Sequence, residues 1–177
     1  MALIDSFLPR KTDWRFAGSA GGGVCVETPI VNVSVCAGGG KWYLKNPAGT
    51  EVSLDHIELE AGIALSLAWV VSVFGSAKSF PSGGIGHLYK GPNVEGDLTI
   101  DHLSEGMVAC LTFSKGTIGA SADLTVVLLG VPWLTLAPTP LAASLFLMSN
   151  ALGVMWGVNA RTEIQVAGVS ASRGLIV

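Results

Sequence analysis

From Leu124 to Ala160 the chain carries no charged side chain and no histidine. So long an uncharged stretch has to be buried, in protein or in lipid. Within it, "TPLAASLFLMSNALGVMWGV" reads as a helix. Thr139 is the N-cap, Pro140 fits the first turn, where a missing N–H costs nothing, and Asn159 closes the end. A helix from Pro140 to Val158 would be about 28 Å long, close to the hydrocarbon thickness of a bilayer. It is apolar all round apart from Ser144, Ser149 and Asn150, so it must be enclosed on every side. Gly153 and Gly157 form a GxxxG that lets a neighbour approach closely. Leu145, Gly153, Trp156 and Gly157 are therefore the candidate contacts with a membrane or a partner. Asn150 is unfavourable in hydrocarbon unless paired. The expected resting place is against or inside a β structure, with a span through lipid as the rival.

The remainder reads as β. From Ile57 the chain alternates, with Ile57, Leu59, Ala61, Ile63, Leu65 and Leu67 on one face. It then becomes wholly apolar ("AWVVSVF"), as a fully buried strand would. Residues 24–36 form a second β segment, and 107–114 with 118–130 read as a hairpin turning at Lys115–Gly116. Residues 1–15 are a leader arm, and Gly18–Gly23 and Gly38–Gly40 read as turns. Residues 162–177 make a closing strand laid against the first. The expected fold is one mainly β domain over 1–177, an antiparallel barrel or curved sheet, with the long apolar helix at 140–158 packed on or in it.

Two stretches match each other: 38–67 and 83–113. Lys45 aligns with Lys90, Pro47 with Pro92, His56 with His102, and Gly62 with Gly106, at offsets of 44 to 46 residues. This is the pattern of a duplicated strand-turn-strand unit. Each copy carries an Asp-His pair, in "SLDH" and "TIDH". The preferred reading is one tight turn used twice, with Ser53 or Thr99 bonding backbone amides. The functional rival brings Asp55, His56, Asp101 and His102 together as metal ligands or as an Asp-oriented base. Adjacent residues of a strand point to opposite faces, which weakens the rival.

Composition narrows function. Half the residues are hydrophobic, only 13% are charged, and mean hydropathy is +0.56. A soluble domain carries about 25% charged residues, so much of this chain is core or meets lipid. Net charge is −3, and the one local basic cluster is Arg10, Lys11 and Arg15. No stripe to neutralise nucleic-acid phosphates is visible. Neither glycine run fits a nucleotide loop, and no cofactor is expected. Cys25, Cys36 and Cys110 read as small buried thiols of a reducing compartment. The first residues lack a secretory pattern, so synthesis is cytoplasmic and any export uses a non-Sec route.

Three classes remain. The leading one is a non-enzymatic, membrane-associated or lipid-contacting β protein, one version being an exported pore former or toxin. The second is a soluble β-barrel that binds an apolar ligand, or a structural subunit whose apolar surface is covered by copies of itself or an assembly partner. The third is a metal-binding or hydrolytic protein using the two Asp-His pairs.

Overall fold

A computed structural model describes residues 9–28, 33–66, 76–79, 85–117, 120–132, 145, 147–160 and 165–177. In chain order the elements are β1 (Arg10–Thr28), β2 (Val33–Lys45), β3 (Glu51–Ser66), β4 (Ser76–Ser79), β5 (Ile85–Lys90), α1 (Ile100–Ser104), β6 (Met107–Thr117), β7 (Ala120–Val131), β8 (Ala151–Ala160) and β9 (Gln165–Ile176). The strands are hydrogen-bonded in the order β2-β3-β9-β6-β7-β8-β5-β1, and β1 pairs back onto β2. All these pairs are antiparallel, so the sheet closes into a barrel of eight positions. The eighth position is split along β1. Its Arg10–Phe16 half takes β5, and its Gly22–Cys25 part takes β4.

The base of the barrel is packed solid. Trp14, Phe16, Trp42, Leu44, Leu54, Leu88, Val127 and Leu129 point inward and are 5% exposed or less. An eight-stranded barrel has an interior just wide enough for side chains to fill. The segment between β5 and β6 closes the end, laying Val94, Leu98 and Leu103 beneath this cluster. It is tied on by Trp14, whose indole Nε1 donates to Leu98 O at 2.8 Å. Asn150 Nδ2 donates to His102 O at 3.0 Å and holds α1 from the other side.

The long helix at 140–158 does not form. Residues 151–160 are strand β8, paired with β7 along its length and with β5 at its base. Leu145, Leu147 and Met148 are helical, and the expected start at 140–144 lies outside the described residues. Among the described residues no helix is long and apolar enough to cross a membrane. The physical reason is an alternation of size. Ala151, Gly153, Met155 and Gly157 are buried inward, while Leu152, Val154, Trp156 and Val158 point outward. A strand whose outer face is also apolar is apolar on both sides, so a uniform run did not distinguish it from a helix.

The glycine runs are strand as well. Gly21, Gly22 and Gly23 of β1 pair with Gly40, Gly39 and Gly38 of β2. A Cβ on Gly40 would lie 2.5 Å from Ala20 O. Glycine is used here for close approach in a tightly curved wall, not for turning the chain. The hairpin of β6 and β7 forms as expected, though its ladder extends past Lys115 to the Thr117–Ala120 pair. The last strand, β9, lies between β3 and β6, not against β1. The apolar run "AWVVSVF" lies outside the described residues.

Candidate functional site

Above the packed base, the inward side chains change character. His56, Glu58, Asp123, Thr125, Ser172 and Ser19 are all buried at 7% exposure or less. Ser172 Oγ donates to Glu58 Oε2 at 2.5 Å. Thr112 and Thr125 share a hydroxyl hydrogen bond of 3.0 Å across the β6–β7 pair. His56 stacks on Trp42, with ring centroids 4.0 Å apart and planes 18° from parallel. Phe16 meets the same indole edge-on at 6.2 Å. This stack marks the level at which the interior passes from apolar to polar.

His56 sits at the foot of the polar zone, level with Gly40 and below the first apolar outward residue of β3, Ile57. Burial lowers its pKa from 6.5 to about 4, against smaller raising effects from the Leu54 backbone and the Asp55 carboxylate. The imidazole is therefore neutral at neutral pH. Its Nε2 lies 3.8 Å from Glu58 Oε1, so this is a contact of a neutral ring with a carboxyl group and not an ion pair. The Ser172 hydroxyl donates its hydrogen bond to Glu58 Oε2 and not to the imidazole, as a Ser–His relay would require.

The two Asp-His pairs do not form one site. In the first, Asp55 and His56 are neighbours on β3 and face opposite ways. Asp55 is on the outer wall, its Oδ1 3.2 Å from Lys41 Nζ, while His56 is in the lumen at 2% exposure. In the second, Thr99 caps α1 at the base. Asp101 is exposed. The His102 ring accepts the Thr99 backbone N–H at 3.2 Å through Nδ1, and lies 2.9 Å from Thr99 Oγ1. "SLDH" is thus the middle of a strand and "TIDH" the start of a short helix, not one turn used twice. Thr99 does act as the expected cap, whereas Ser53 lies in the ladder opposite Tyr43. Among the described residues no group of three His, Cys, Asp or Glu is placed to hold a metal ion.

The outer wall carries the larger chemical feature. Outward-pointing Leu59 is 65% exposed, Val158 59%, Trp156 58%, Val35 52%, Leu124 44% and Phe113 43%. Ala37, Ala61, Ala122 and Ala171 are exposed beside them. On the arc formed by β2, β3, β9, β6 and β7, Val35, Ala37, Leu59, Ala61, Val126 and Ala171 floor a groove of about 1270 Å³, edged by Pro9 and Leu145. Arg173 is its one cationic lining residue among the described residues. Of the four contact residues named from sequence, Leu145 edges this groove and Trp156 stands on the outer wall. Gly153 and Gly157 face the lumen, where a Cβ on Gly153 would lie 2.6 Å from Phe16 Cε2. Their spacing serves the barrel's interior packing and not a helix–helix contact. Sequence reasoning missed the outward face of β7. Its signal was present: Leu124, Val126 and Leu128 alternate with Asp123, Thr125 and Val127.

The cysteines differ from the expected set of free thiols. Cys36 is disulfide-bonded, and the residue opposite it in the β1–β2 ladder is Cys25. Cys110 is free. No family model, no curated protein and no solved structure matches this chain.

Proposed function

We propose that this chain is a non-enzymatic, lipid-contacting β-barrel that seats its outer wall in the acyl region of a membrane. One observation carries the reading: the polarity of β3 inverts along its length. At the base its inward residues are Val52 and Leu54, and its outward ones Glu51, Ser53 and Asp55. Further on, the inward residues are His56 and Glu58, and the outward ones Ile57, Leu59 and Ala61. An apolar exterior over a polar interior is the arrangement that hydrocarbon selects in a barrel wall. Backbone groups in a closed antiparallel barrel are already paired, so no edge would be exposed to lipid.

The outward row Ala122–Leu128 of β7 spans about 20 Å along the strand, or about 15 Å of height at a 40° tilt. The sequence alternation of β3 from Ile57 to Leu65 extends this to about 20 Å of height. An apolar band about 25 Å tall is typical of barrels in membranes. The filled base argues against conduction through a single barrel, so the lipid contact is assigned to the outer wall and not to a lumen pore. The disulfide at Cys36 favours a mature location in an oxidising compartment, and hence export from the cytosol.

The groove supports a second reading, an aqueous barrel that holds an apolar ligand or a second copy of itself against the outer wall. One experiment separates the two. The purified chain is refolded from urea into phosphatidylcholine vesicles and floated through a density gradient. The membrane reading expects co-flotation, resistance to alkaline carbonate, and faster gel migration unheated than boiled. A chain that stays at the bottom of the gradient as a discrete detergent-free species refutes it. Quenching of Trp fluorescence by fatty acids would then identify the ligand-binding alternative.

A further inference from the structure

We propose that Lys11, Arg15 and Lys45 form a docking surface for the phosphates of anionic phospholipids, seating the barrel with its closed base at the headgroup layer. The inference rests on the lipid-contacting reading and adds to it a lipid class and an orientation. Of the ten Lys and Arg residues in the chain, six lie on β1, β2 and β5 toward the base: Arg10, Lys11, Arg15, Lys41, Lys45 and Lys90. The ladders bring them together. Arg15 is directly opposite Lys45 across β1–β2 and opposite His87 across β1–β5. Like charges placed opposite each other on one face repel.

Acids neighbour this face without closing an ion pair on its three cations, and Glu95, Asp97, Asp101 and Glu105 are exposed on the base segment beyond it. Asp55 is taken by Lys41. Asp13 is exposed beside them and Glu51 stands directly opposite Lys45 in the β2–β3 ladder, yet Lys11, Arg15 and Lys45 make no ion pair within 4.0 Å among the described residues. All three cations are exposed. Folding gains nothing from holding Arg15 against Lys45, whereas a phosphate between them would be held by both.

The position suits lipid in particular. Above the cations and the Lys41–Asp55 pair the wall turns apolar, with Ile57 on β3, Ala37 and Val35 on β2, and Ile85 on β5. Tyr43 lies across Gly18, and Tyr89 is opposite Lys11. Aromatic side chains with a polar tip are enriched at the level where headgroups meet acyl chains. A nucleic acid on the same cations would leave the adjoining apolar wall in water.

The test compares partition of the refolded chain into phosphatidylcholine vesicles with and without phosphatidylglycerol. Each cation near an anionic surface raises partition roughly fivefold. The double variant Arg15→Gln, Lys45→Gln should therefore lose roughly 25-fold on the anionic vesicles and nothing on the neutral ones. Lys115→Gln, an equal loss of charge per site at the opposite end of the wall, should lose under about twofold, less than the fivefold per cation at the base. Unchanged heat-dependent gel mobility shows that the variants still form the barrel. Equal wild-type binding to both vesicles overturns the headgroup surface, as does a Lys115→Gln loss equal to that of each base substitution. Binding to neither vesicle overturns the lipid-contacting reading itself, and the headgroup surface with it.

Discussion

Replacing Leu124 with arginine distinguishes lipid from water around the barrel by the size of its effect. Leu124 points outward from β7, 44% exposed, opposite Phe113 on β6 and Trp156 on β8. In water the change would cost little. Surface substitutions generally stay within about 0.5 kcal/mol, and a guanidinium laid on the Trp156 ring would return about 0.5–1 kcal/mol. In lipid the same arginine is placed in the middle of the described apolar row, and charged side chains there cost about 2–4 kcal/mol. That corresponds to a roughly 30- to 1000-fold shift in the folding equilibrium. The assay is urea unfolding of the vesicle-bound barrel, followed by Trp fluorescence, for wild type and Leu124→Arg. The lipid reading expects a loss of about 2 kcal/mol or more. A variant within about 0.5 kcal/mol of wild type, with flotation intact, would refute the placement of β7 against acyl chains.

Three further outcomes are expected. His56 has a folded pKa of about 4 against 6.5 in the unfolded chain, so the unfolded state binds the proton first as pH falls. Stability should be full above about pH 6.5 and decline by about 3 kcal/mol down to about pH 4. Denaturant melts across that window should show a flatter slope for His56→Gln, and identical slopes would remove His56 as the cause. Gly153→Ala places a methyl group 2.6 Å from the Phe16 ring, and the resulting overpacking should cost about 1–3 kcal/mol, read as a lower urea midpoint. With three cysteines, Cys110 outside any disulfide and Cys36 disulfide-bonded, alkylation of the denatured chain should tag one thiol before reduction and three after. Three tags without reductant would exclude the disulfide.

The barrel was legible wherever one face of a strand contrasted with the other. Ile57, Leu59 and Ala61 alternate with His56, Glu58 and Glu60, and this period of two carried the assignment of β3. The β6–β7 hairpin was readable for the same reason. The contrast fails in β8, where Leu152, Val154, Trp156 and Val158 face outward and Ala151, Gly153, Met155 and Gly157 face inward. Both faces are apolar, and only side-chain size alternates. A hydrophobicity reading sees a uniform run and supplies a helix, whereas the small residues in fact make room for Phe16. The glycines misled in a related way. Local preference reads Gly38–Gly40 as a turn, but the pairing of Gly39 with both Gly22 and Ile57 is a long-range fact that no local window contains. The Asp-His pairs show the limit of motif matching. The same letters occupy a strand wall in one place and a helix start in the other, and their chemistry follows the element that holds them.

The inversion within β3 does not depend on the register of the strand. A slip of one residue would transfer every side chain of the strand to the other face. It would exchange the two faces throughout and leave the break between Leu54 and Ile57 where it is. The β2–β3 ladder, moreover, runs from Lys45–Glu51 to Val33–Ile63 with no bulge. The change of sign therefore belongs to the sequence itself. It also coincides with a change inside the barrel, since the Trp42–His56 stack lies at the level where Asp55 gives way to Ile57 outside. Below that level the barrel buries apolar groups inside and offers charges to water, as a soluble protein does. Above it, polar groups are buried inside while leucine, valine and tryptophan face out, with Arg173 opposite Leu59 as a cation among them. Burying Glu58, Asp123 and Ser172 costs free energy that a contact such as the Ser172–Glu58 hydrogen bond only offsets, and the exposed leucines gain nothing in water. Both become favourable once the upper wall meets hydrocarbon, where apolar exterior residues are solvated and an internal polar zone is shielded from lipid. On the proposed lipid-contacting reading one strand carries instructions for two solvents, and the base, with its packed core and exposed cations, is the end assigned to the water.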